Sequence, residues 1–414
     1  MKIALILGRG IEGAGVTRFA TELNNYINEN NMYSHIFAVN EKSWPRKNLQ
    51  NIINYSLIEV DQFKELSIKL NTEFDLILYC SIPAKKGFSQ KCIDDFYNYL
   101  ICDVIKPKKF STQNDHKKQS LARNANLYEI NEKMDGIFSF SNKSPFFEEL
   151  KIRYGKNILN KYIFLQNGIN FKELLKYRKD IKDREKRVTY LGRYATFKDP
   201  FRLYNFHSYI KRYNFKSELI GIERSIGAVF PMFKFSDMKT SKHNIEMFDC
   251  TDSKKFYTIR SKQDIQLPYV YGPYEREKTL NEIGDSLFGC SFYNINSDAN
   301  GNNIEYAQLE MISVGLIPLF DYDWSLHTKI NNISLNTIIN FGIFLKKDLS
   351  NAEECAFNMN EIFLNLELRK KYYDTSFESI QVYSSDVVFK KMIDTMQNFK
   401  QLSYSIPFKK RTLF

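Results

Sequence analysis

The sequence contains no apolar run long enough to cross a membrane. A spanning helix needs about 20 consecutive apolar residues, and no stretch of the 414 residues approaches that length. The first residues run straight into an apolar strand pattern, without the layout of a secretory signal peptide. These absences favour a cytoplasmic protein that does not bind membranes.

The cysteines lack the spacing of a metal or disulfide motif. No two of them form a Cys-x-x-Cys pair, and none has a histidine at metal-ligand spacing. We therefore predict no metal site and expect reduced thiols, mostly packed in the interior. The chain also lacks internal repeats and low-complexity segments. The cysteines are Cys80, Cys92, Cys102, Cys250, Cys290 and Cys355.

Acidic residues are too few to balance the basic ones. The chain has 59 Lys and Arg residues against 48 Asp and Glu, a net charge of +11. A positive field attracts nucleic acids or anionic membranes, although a lysine-rich composition without such a partner gives the same total. The distribution is more informative, because three basic clusters fall on what we predict to be successive loops and should share one face. These clusters are Lys85 with Lys86, Lys108 with Lys109, and Lys117 with Lys118 and Arg123; a fourth is 408-FKKRTLF-414.

Short apolar runs alternate with amphipathic stretches along the chain. In the first half we predict strands at 2–7, 34–39, 55–59, 75–80, 109–113, 136–140 and 161–165. In the second half we predict strands at 187–192, 217–222, 267–271, 287–292 and 316–320, and helices at 200–212, 224–231, 275–285 and 303–314. This alternation is typical of parallel sheets covered by helices. We therefore predict an α/β protein with two doubly wound, Rossmann-like domains.

A highly charged stretch, 172-KELLKYRKDIKDREKR-187, separates the two halves, and we interpret it as a linker or an exposed helix. We assign residues 1–170 to an N-terminal domain and 187–384 to a C-terminal domain, with 235–265 as an insertion. Amphipathic segments at 354–380 and 385–402 predict closing helices, and we expect 385–414 to return toward the N-terminal domain. Two such domains facing one another would line a cleft with the carboxyl ends of their strands.

Four glycines follow the first predicted strand, 3-IALIL-7, and precede a predicted helix. A strand, a glycine-rich turn and a helix present backbone N–H groups to an anionic ligand, most often a phosphate. The order Gly-x-Gly-x-x-Gly also matches the NAD fingerprint, which requires an acidic residue at the end of the second strand. That position is Asn40, with Glu41 one residue later. The glycine loop is therefore the only feature that supports a dehydrogenase. The glycines are Gly8, Gly10, Gly13 and Gly15.

The predicted second domain carries charged residues at corresponding places. Arg193 follows its first strand and Lys198 comes five residues later; two such cations can neutralise a diphosphate. Glu305 and Glu310 lie on a predicted helix that ends at Gly315, and a carboxylate there can accept the hydroxyls of a ribose. Together with the glycine loop, these residues favour a sugar-nucleotide site over a dinucleotide site.

Six strings, in order along residues 1–320, resemble the DNA α-glucosyltransferases of T4-like phages, which are retaining glycosyltransferases of the GT-B fold. The junction 164-FLQNGIN-170 resembles the same enzymes. The resemblance implies two Rossmann-like domains facing across a cleft, a UDP-sugar donor, above all UDP-glucose, and 5-hydroxymethylcytosine in double-stranded DNA as the acceptor. The strings are 8-GRGIEGAGVTRF-19, 81-SIPA-84, 113-QNDHKKQSLARN-124, 191-LGRYATFKDPFRLYNFH-207, 220-IGIERS-225 and 304-IEYAQLEMISVGLIPLF-320.

The resemblance also implies roles for single residues. Arg193 and Lys198 would hold the diphosphate, and Glu310 would hold the uridine ribose. The other donor-binding residues would be Gly13, Gly15, Glu223, Arg224 and Tyr306. The residues at the reacting centre would be Asp115, His116 and Glu305. No tightly bound cofactor and no metal are implied.

The implied acceptor fits the basic clusters. A cytosine inside a duplex is out of reach of a deep cleft, so the base would be extruded at a cost of a few kcal/mol. Phosphate contacts would offset that cost and make binding depend steeply on salt. The DNA-binding residues would be Lys85, Lys86, Lys108, Lys109, Lys117, Lys118 and Arg123. We expect a monomer in the cytoplasm of a bacterial host during phage infection.

Two positions depart from the family pattern. The family's Gln-His-Asp-His string reads 113-QNDH-116 here, so Asn114 replaces a histidine close to the reacting centre. Asn302 stands where broader GT-B enzymes often carry a glutamate. Such changes are compatible with a different sugar, such as a pentose, or a different acceptor. Three further interpretations stay open: a GT-B enzyme acting on a surface glycan or lipid, a dehydrogenase, and a DNA-binding protein without catalysis.

Overall fold

The chain divides into two compact units. One comprises Met1–Leu165 together with Phe389–Phe414, and the other comprises Gln166–Val388. A computed structural model describes residues 1–8, 15–40, 52–83, 88–113, 132–139, 161–164, 167–192, 199–220, 259–260, 265–267, 276–292, 306–321 and 342–399.

The first unit is built on a sheet of parallel strands in the order β3-β2-β1-β4-β5-β6-β7. Residues Ile3 to Leu7 are fully buried, as expected for a central strand with both faces covered. All the strands predicted in the first half are confirmed to within two residues. They are β1 Lys2–Leu7, β2 Tyr33–Asn40, β3 Tyr55–Glu59, β4 Leu76–Ser81, β5 Lys108–Gln113, β6 Gly136–Ser139 and β7 Tyr162–Phe164.

The helices of this unit follow its strands. They include α1 Gly15–Glu29, α2 Phe63–Glu73 and α3 Gln90–Asp95, which runs directly into a π-helix, Phe96–Cys102. Helix α1 buries Phe19, Leu23 and Ile27. Because these residues recur every four positions, they form one apolar face. That face packs α1 against the sheet, and the helix begins at Gly15.

The second unit is built on a sheet with the strand order β10-β11-β9-β8-β12-β13-β14. Its pairings are parallel except that of β10 with β11. In both sheets the order reverses at the first strand, β1 or β8, and ligands in open α/β sheets bind at the carboxyl ends of strands beside such a reversal. The strands are β8 Glu185–Leu191, β9 Lys216–Ile220, β10 Ile259–Arg260, β11 Ile265–Leu267, β12 Ser286–Cys290, β13 Ile317–Asp321 and β14 Ile343–Leu345.

Helices of the second unit alternate with these strands and then close the chain. The last helix begins in the second unit, where the Ser385 amide donates to the Ile169 carbonyl at 2.9 Å. Its later part belongs to the first unit, where the Phe389 ring packs edge-on against Phe19 with centroids 5.7 Å apart. The helices are α4 Phe171–Leu175, α5 Pro200–Ile210, α6 Arg276–Ile283, α7 Tyr306–Ser313, α8 Ala352–Leu364, α9 Leu366–Ser379 and α10 Ser385–Asn398.

The interpretation of 172–187 as a linker or as one exposed helix is wrong. This stretch contains α4 and the start of β8, and it belongs to the second unit. Among its many charged residues are three apolar ones that are buried in the structure, Leu174, Tyr177 and Ile181. The predicted helical segment 354–380 is likewise broken at Asn365, whose side chain caps α9 by accepting the Leu368 amide at 3.0 Å. Strands β10 and β14 were not predicted, and β10 lies within the segment 235–265 that was predicted as an insertion.

Two features are absent from the described residues. No helix there is long and apolar enough to cross a membrane. No three His, Cys, Asp or Glu side chains there are grouped so that they could hold a metal ion. The described cysteines are free and, apart from Cys102, buried. Burial raises the pKa of Cys355 to about 12, so this thiol is unreactive at neutral pH.

Candidate active site

The turn after β1 is packed against the end of β4. The Gly8 amide donates to the Ser81 carbonyl at 2.8 Å. A Cβ on Gly8 would overlap the Pro83 ring and lie 2.5 Å from the Ile82 carbonyl carbon. Packing alone therefore requires glycine at this position, whatever the loop binds.

Gly15 begins α1, and its surroundings are different. A Cβ built on it meets no atom within 4 Å in the described part of the chain. Packing there does not require glycine, whereas a ligand that approaches the N–H groups of the first helical turn closely would. Gly10 and Gly13 lie outside the described residues. Of the two described loop glycines, Gly15 is the better candidate for ligand contact.

The carboxyl end of β8 leads toward the end of β12. Gly192 follows β8, and a Cβ there would lie 2.9 Å from the Tyr190 hydroxyl oxygen. After the six residues 193–198 the described chain resumes at Asp199, whose amide donates to the Phe292 carbonyl, just beyond β12, at 3.3 Å. Arg193 and Lys198 belong to the six-residue segment between these points. Both cations therefore belong to the segment that joins the end of β8 to Asp199, which is hydrogen-bonded beside the end of β12.

Helix α7 presents two predicted site residues on one face. Tyr306 and Glu310 are four residues apart and partly exposed, whereas Leu309 and Ile312 are buried. The Gln308 side chain fixes the helix by donating from Nε2 to the Ser291 carbonyl at 3.1 Å. Glu310 is therefore partly exposed in the middle of a helix that is anchored to the carboxyl end of β12.

Gly315 follows α7, and its backbone conformation and close packing explain why this residue is a glycine. Its φ angle is +94°, a conformation that favours glycine. A Cβ there would also overlap the Tyr373 ring and lie 3.0 Å from the Arg184 guanidinium carbon. The predicted end of the helix at this residue is confirmed, and the glycine is explained by packing rather than by ligand contact.

An arginine that the sequence pattern does not single out lies at the same edge of the sheet. Arg202, on α5, donates from Nη1 to Asp321 Oδ2 at 2.6 Å and from Nε to Asp199 Oδ2 at 3.1 Å. Its guanidinium carbon lies 4.8 Å from the centroid of the Phe292 ring. The Arg202 and Asp321 side chains are 1% and 2% exposed. The spacing of Asp199 and Arg202 is a local signal for their pairing, but Asp321 is 119 residues away.

The side chains of Lys108 and Lys109 bind backbone carbonyls. Lys109 Nζ donates to the Ile101 and Val104 carbonyls, both at 2.9 Å, at the end of the π-helix. Lys108 Nζ donates to the Phe399 carbonyl at 3.0 Å, just beyond α10. Burial lowers the pKa of Lys109, the opposite of what a phosphate contact would do. Both ammonium groups therefore serve the fold.

The position of these two lysines corrects a prediction about the basic clusters. They begin β5, level with Leu76 at the start of the parallel strand β4. Residues 84–87 and 117–118 instead come after β4 and β5 in the sequence and lie outside the described residues. The expectation that Lys108 and Lys109 lie on a loop is wrong, because both begin β5 and bind carbonyls, and we remove both from the DNA-binding set.

The other predicted site residues lie outside the described residues, so their geometry stays a prediction. They are Gly13, Lys85, Lys86, Asp115, His116, Lys117, Lys118, Arg123, Arg193, Lys198, Glu223, Arg224 and Glu305.

Comparison with known proteins identifies the family. A family model of DNA alpha-glucosyltransferases matches residues 14–358. A DNA alpha-glucosyltransferase of Enterobacteria phage T4 is 24% identical over 335 residues, covering 77% of this chain and 80% of the relative.

Two solved structures share the fold. An alpha-glucosyltransferase in complex with UDP and a 13-mer DNA containing a HMU base matches with a TM-score of 0.76 and 21% identity, over 96% of this chain and 100% of that one. An alpha-glucosyltransferase in complex with UDP-glucose and DNA containing an abasic site matches with a TM-score of 0.78 and 20% identity, over 96% and 99%. The predicted GT-B class is confirmed, and the family model covers far more than half of the chain. The protein therefore belongs to the DNA alpha-glucosyltransferase family.

Proposed function

We propose that the protein transfers glucose from UDP-glucose to the hydroxymethyl group of 5-hydroxymethylcytosine in duplex DNA, with retention at the anomeric carbon. The observation that carries the proposal is the family match, which runs from the glycine-rich turn before α1 into α8. Similar solved proteins hold UDP-glucose and DNA. The net charge of +11 suits a polyanionic acceptor.

The donor is bound mainly by the second unit. Arg193 and Lys198 bind the diphosphate, and Glu310 accepts the hydroxyls of the uridine ribose. The partial exposure of Glu310 on α7 supports this assignment. Gly13 and Gly15 offer backbone amides to the phosphates, for which the open space beside Gly15 leaves room. Glu223 and Arg224 line the donor site.

The reaction replaces the bond between the anomeric carbon and the phosphate oxygen with a bond to the acceptor oxygen. Negative charge develops on the departing UDP, and Arg193 and Lys198 stabilise it where it forms. The leaving phosphate takes the proton of the acceptor hydroxyl on the same face of the sugar. Asp115 orients that hydroxyl, His116 binds the sugar or a phosphate, and Glu305 lies beside the sugar.

The DNA is bound through its phosphates. The residues proposed for these contacts are Lys85, Lys86, Lys117, Lys118 and Arg123, which follow the carboxyl ends of β4 and β5. Their contacts offset the cost of extruding the target base. This surface excludes Lys108 and Lys109, whose ammonium groups bind backbone carbonyls.

A panel of donors tests the function. The protein is incubated with hydroxymethylated duplex DNA and UDP-glucose, UDP-galactose, UDP-N-acetylglucosamine or a UDP-pentose, and the digested nucleosides are weighed by mass spectrometry. We expect a hexose added to hydroxymethylcytosine with UDP-glucose, and turnover roughly a hundredfold lower in Arg193→Ala. A pentose adduct would support the second candidate, a changed sugar, which Asn114 favours. UDP release without any DNA adduct would reject DNA as the acceptor.

The two described glycines of the turn offer a matched test of the donor site. We expect Gly15→Ala to fold with wild-type stability but to bind UDP about tenfold more weakly, the equivalent of one lost hydrogen bond. We expect Gly8→Ala to lower the free energy of unfolding by about 2 kcal/mol because its Cβ has no space. Calorimetry with UDP and urea unfolding measure the two quantities. Wild-type UDP affinity in Gly15→Ala would remove this residue from the donor site.

A further inference from the structure

Two of the three partners of Arg202 adjoin segments that carry proposed site residues. Asp199 directly follows Lys198 and closes the segment that begins with Arg193. Phe292 precedes the segment that leads to Glu305. Asp321 is the last residue of β13, the neighbour of β12. The buried guanidinium of Arg202 therefore contacts one residue before α5, one just after β12 and one at the end of β13.

We propose that Arg202 is a positioning residue of the donor site. It holds Asp199 in register with the ends of β12 and β13, and thereby holds Lys198 and Arg193 where a diphosphate binds. The inference rests on the proposed function, because that function assigns the diphosphate to these two cations. Arg202 acts through Asp199 and not by touching the donor.

Physical chemistry favours positioning over stabilisation as the role of this pair. Burying two charges costs so much hydration that a buried ion pair is often no more stabilising than apolar side chains of the same size. What such a pair supplies is direction, because a guanidinium donates along fixed lines in one plane. Here those lines reach Asp321 from Nη1 and Asp199 from Nε. The plane of the guanidinium thus sets the orientation of the Asp199 carboxylate relative to β13.

Three variants separate positioning from stability. Arg202→Met/Asp321→Leu replaces the buried pair with apolar side chains. Asp199→Asn keeps the buried pair and weakens only the contact to Nε. Arg212→Met is the matched control, since this arginine lies just beyond α5 and its side chain is 42% exposed in an ion pair with Glu353. Each is compared with the wild type in Tm, in kcat and KM for UDP-glucose with hydroxymethylated DNA, and in deuterium uptake at the Asp199 amide.

We expect the double variant to keep a Tm near that of the wild type but to lose about ten- to hundredfold in kcat, with a smaller change in KM. Deuterium uptake at the Asp199 amide should rise, because the hydrogen bond from this amide to the Phe292 carbonyl at 3.3 Å depends on the same arrangement. Asp199→Asn should change kcat in the same direction by about threefold or more. Arg212→Met should match the wild type in all readouts.

Two outcomes overturn the proposal. One is a folded double variant with wild-type kcat and uptake, which would make the pair purely structural. If the double variant does not fold, Asp199→Asn decides, and wild-type kcat in that variant is the second. A wild-type protein that transfers sugar from no UDP donor would instead reject the proposed function. In that case deuterium uptake still tests the positioning role, because this measurement needs no ligand. Unchanged uptake at the Asp199 amide in the double variant would reject that role.

Discussion

The two units bury charge in different ways. Among the described Asp, Glu, Lys and Arg residues, the first unit buries one side chain, Glu22, which pairs with Arg18 one turn earlier on α1. Its cations Lys109 and Lys161 stay partly exposed at the amino edge of the sheet and bind backbone carbonyls. The second unit buries five such side chains, Arg184, Arg187, Arg202, Glu218 and Asp321.

The difference lies in what each charge joins. A lysine at the edge of the first sheet satisfies nearby carbonyls that water can also reach. A buried arginine in the second unit joins elements that are far apart in the sequence, and at least one partner of each is itself buried. Removing a charge should therefore cost little in the first unit and much in the second. This expectation can be tested residue by residue.

The largest effect is expected at Arg184. This side chain donates to the Ser286 and Lys179 carbonyls, both at 3.0 Å, and also to the Val314 carbonyl. Arg184→Met should lower the free energy of unfolding by about 3 to 5 kcal/mol, because buried carbonyls lose their donor. Urea unfolding measured as a shift of the midpoint at constant slope gives this quantity.

Arg212→Met is the control for Arg184, since its partner Glu353 is 68% exposed at the side chain. Its cost should be about 0.5 kcal/mol or less, as for other surface ion pairs. Equal costs for the two variants would contradict the comparison between buried and exposed charge in the second unit.

The strands could be predicted because their signal is local. An apolar run such as 3-IALIL-7 reports burial by itself, and the order of runs and amphipathic stretches fixes a parallel sheet. The linker was mispredicted because charge dominates 172–187, although Leu174, Tyr177 and Ile181 follow a spacing of three to four residues. That spacing was a usable signal for a buried face.

The contacts of the site could not be predicted in the same way. No residue pattern close to Arg202 in the sequence indicates that Asp321 is its partner, because only the folded sheet brings the two together. Lys108 and Lys109 were misassigned for a related reason. A loop position does not say which edge of a sheet it lies on, and a strand that begins at Lys108 puts both lysines at the amino edge. Both the partner of a buried arginine and the sheet edge of a lysine depend on contacts between distant parts of the chain. Local composition does not indicate those contacts.

A smaller effect is expected at Lys109. Lys109→Met should lower the free energy of unfolding by about 1 to 2 kcal/mol, because two carbonyls at the end of the π-helix lose their donor but remain near water. The salt dependence of duplex binding should run parallel to that of the wild type. Fluorescence anisotropy with labelled hydroxymethylated DNA at several salt concentrations measures it.

Lys117→Gln/Lys118→Gln is the contrasting variant for DNA binding. If both lysines contact phosphates, the slope of log affinity against log salt should flatten by about 1.8, at about 0.9 per contact, with unfolding unchanged. A flattened slope in Lys109→Met would return this lysine to the DNA-binding set and remove the distinction between the two edges of the first sheet.

The smallest effect concerns pH and the carboxylates of the second unit. Burial raises the pKa of Glu282 to about 7, repulsion from Glu218 and Asp285 adds to the rise, and Arg187 opposes it. Between the ordinary pKa of 4.5 and this value, the folded protein holds a proton that the unfolded chain has released. The free energy of unfolding should therefore fall as pH rises through this window.

Glu282→Gln removes this titration, since glutamine resembles the protonated carboxyl at every pH. The variant should match the wild type near pH 5 and exceed its free energy of unfolding at pH 8 by about 1 kcal/mol, less than the full pKa shift implies because the side chain is partly hydrated. Glu277→Gln, on the same helix with a side chain 79% exposed, should leave the pH dependence unchanged. Urea unfolding at pH 5 and pH 8 compares the three proteins. If Glu282→Gln follows the wild type at both pH values, the Glu282 carboxylate is already ionised without cost in the folded state. The second unit would then tolerate charge beside its sheet as easily as the first.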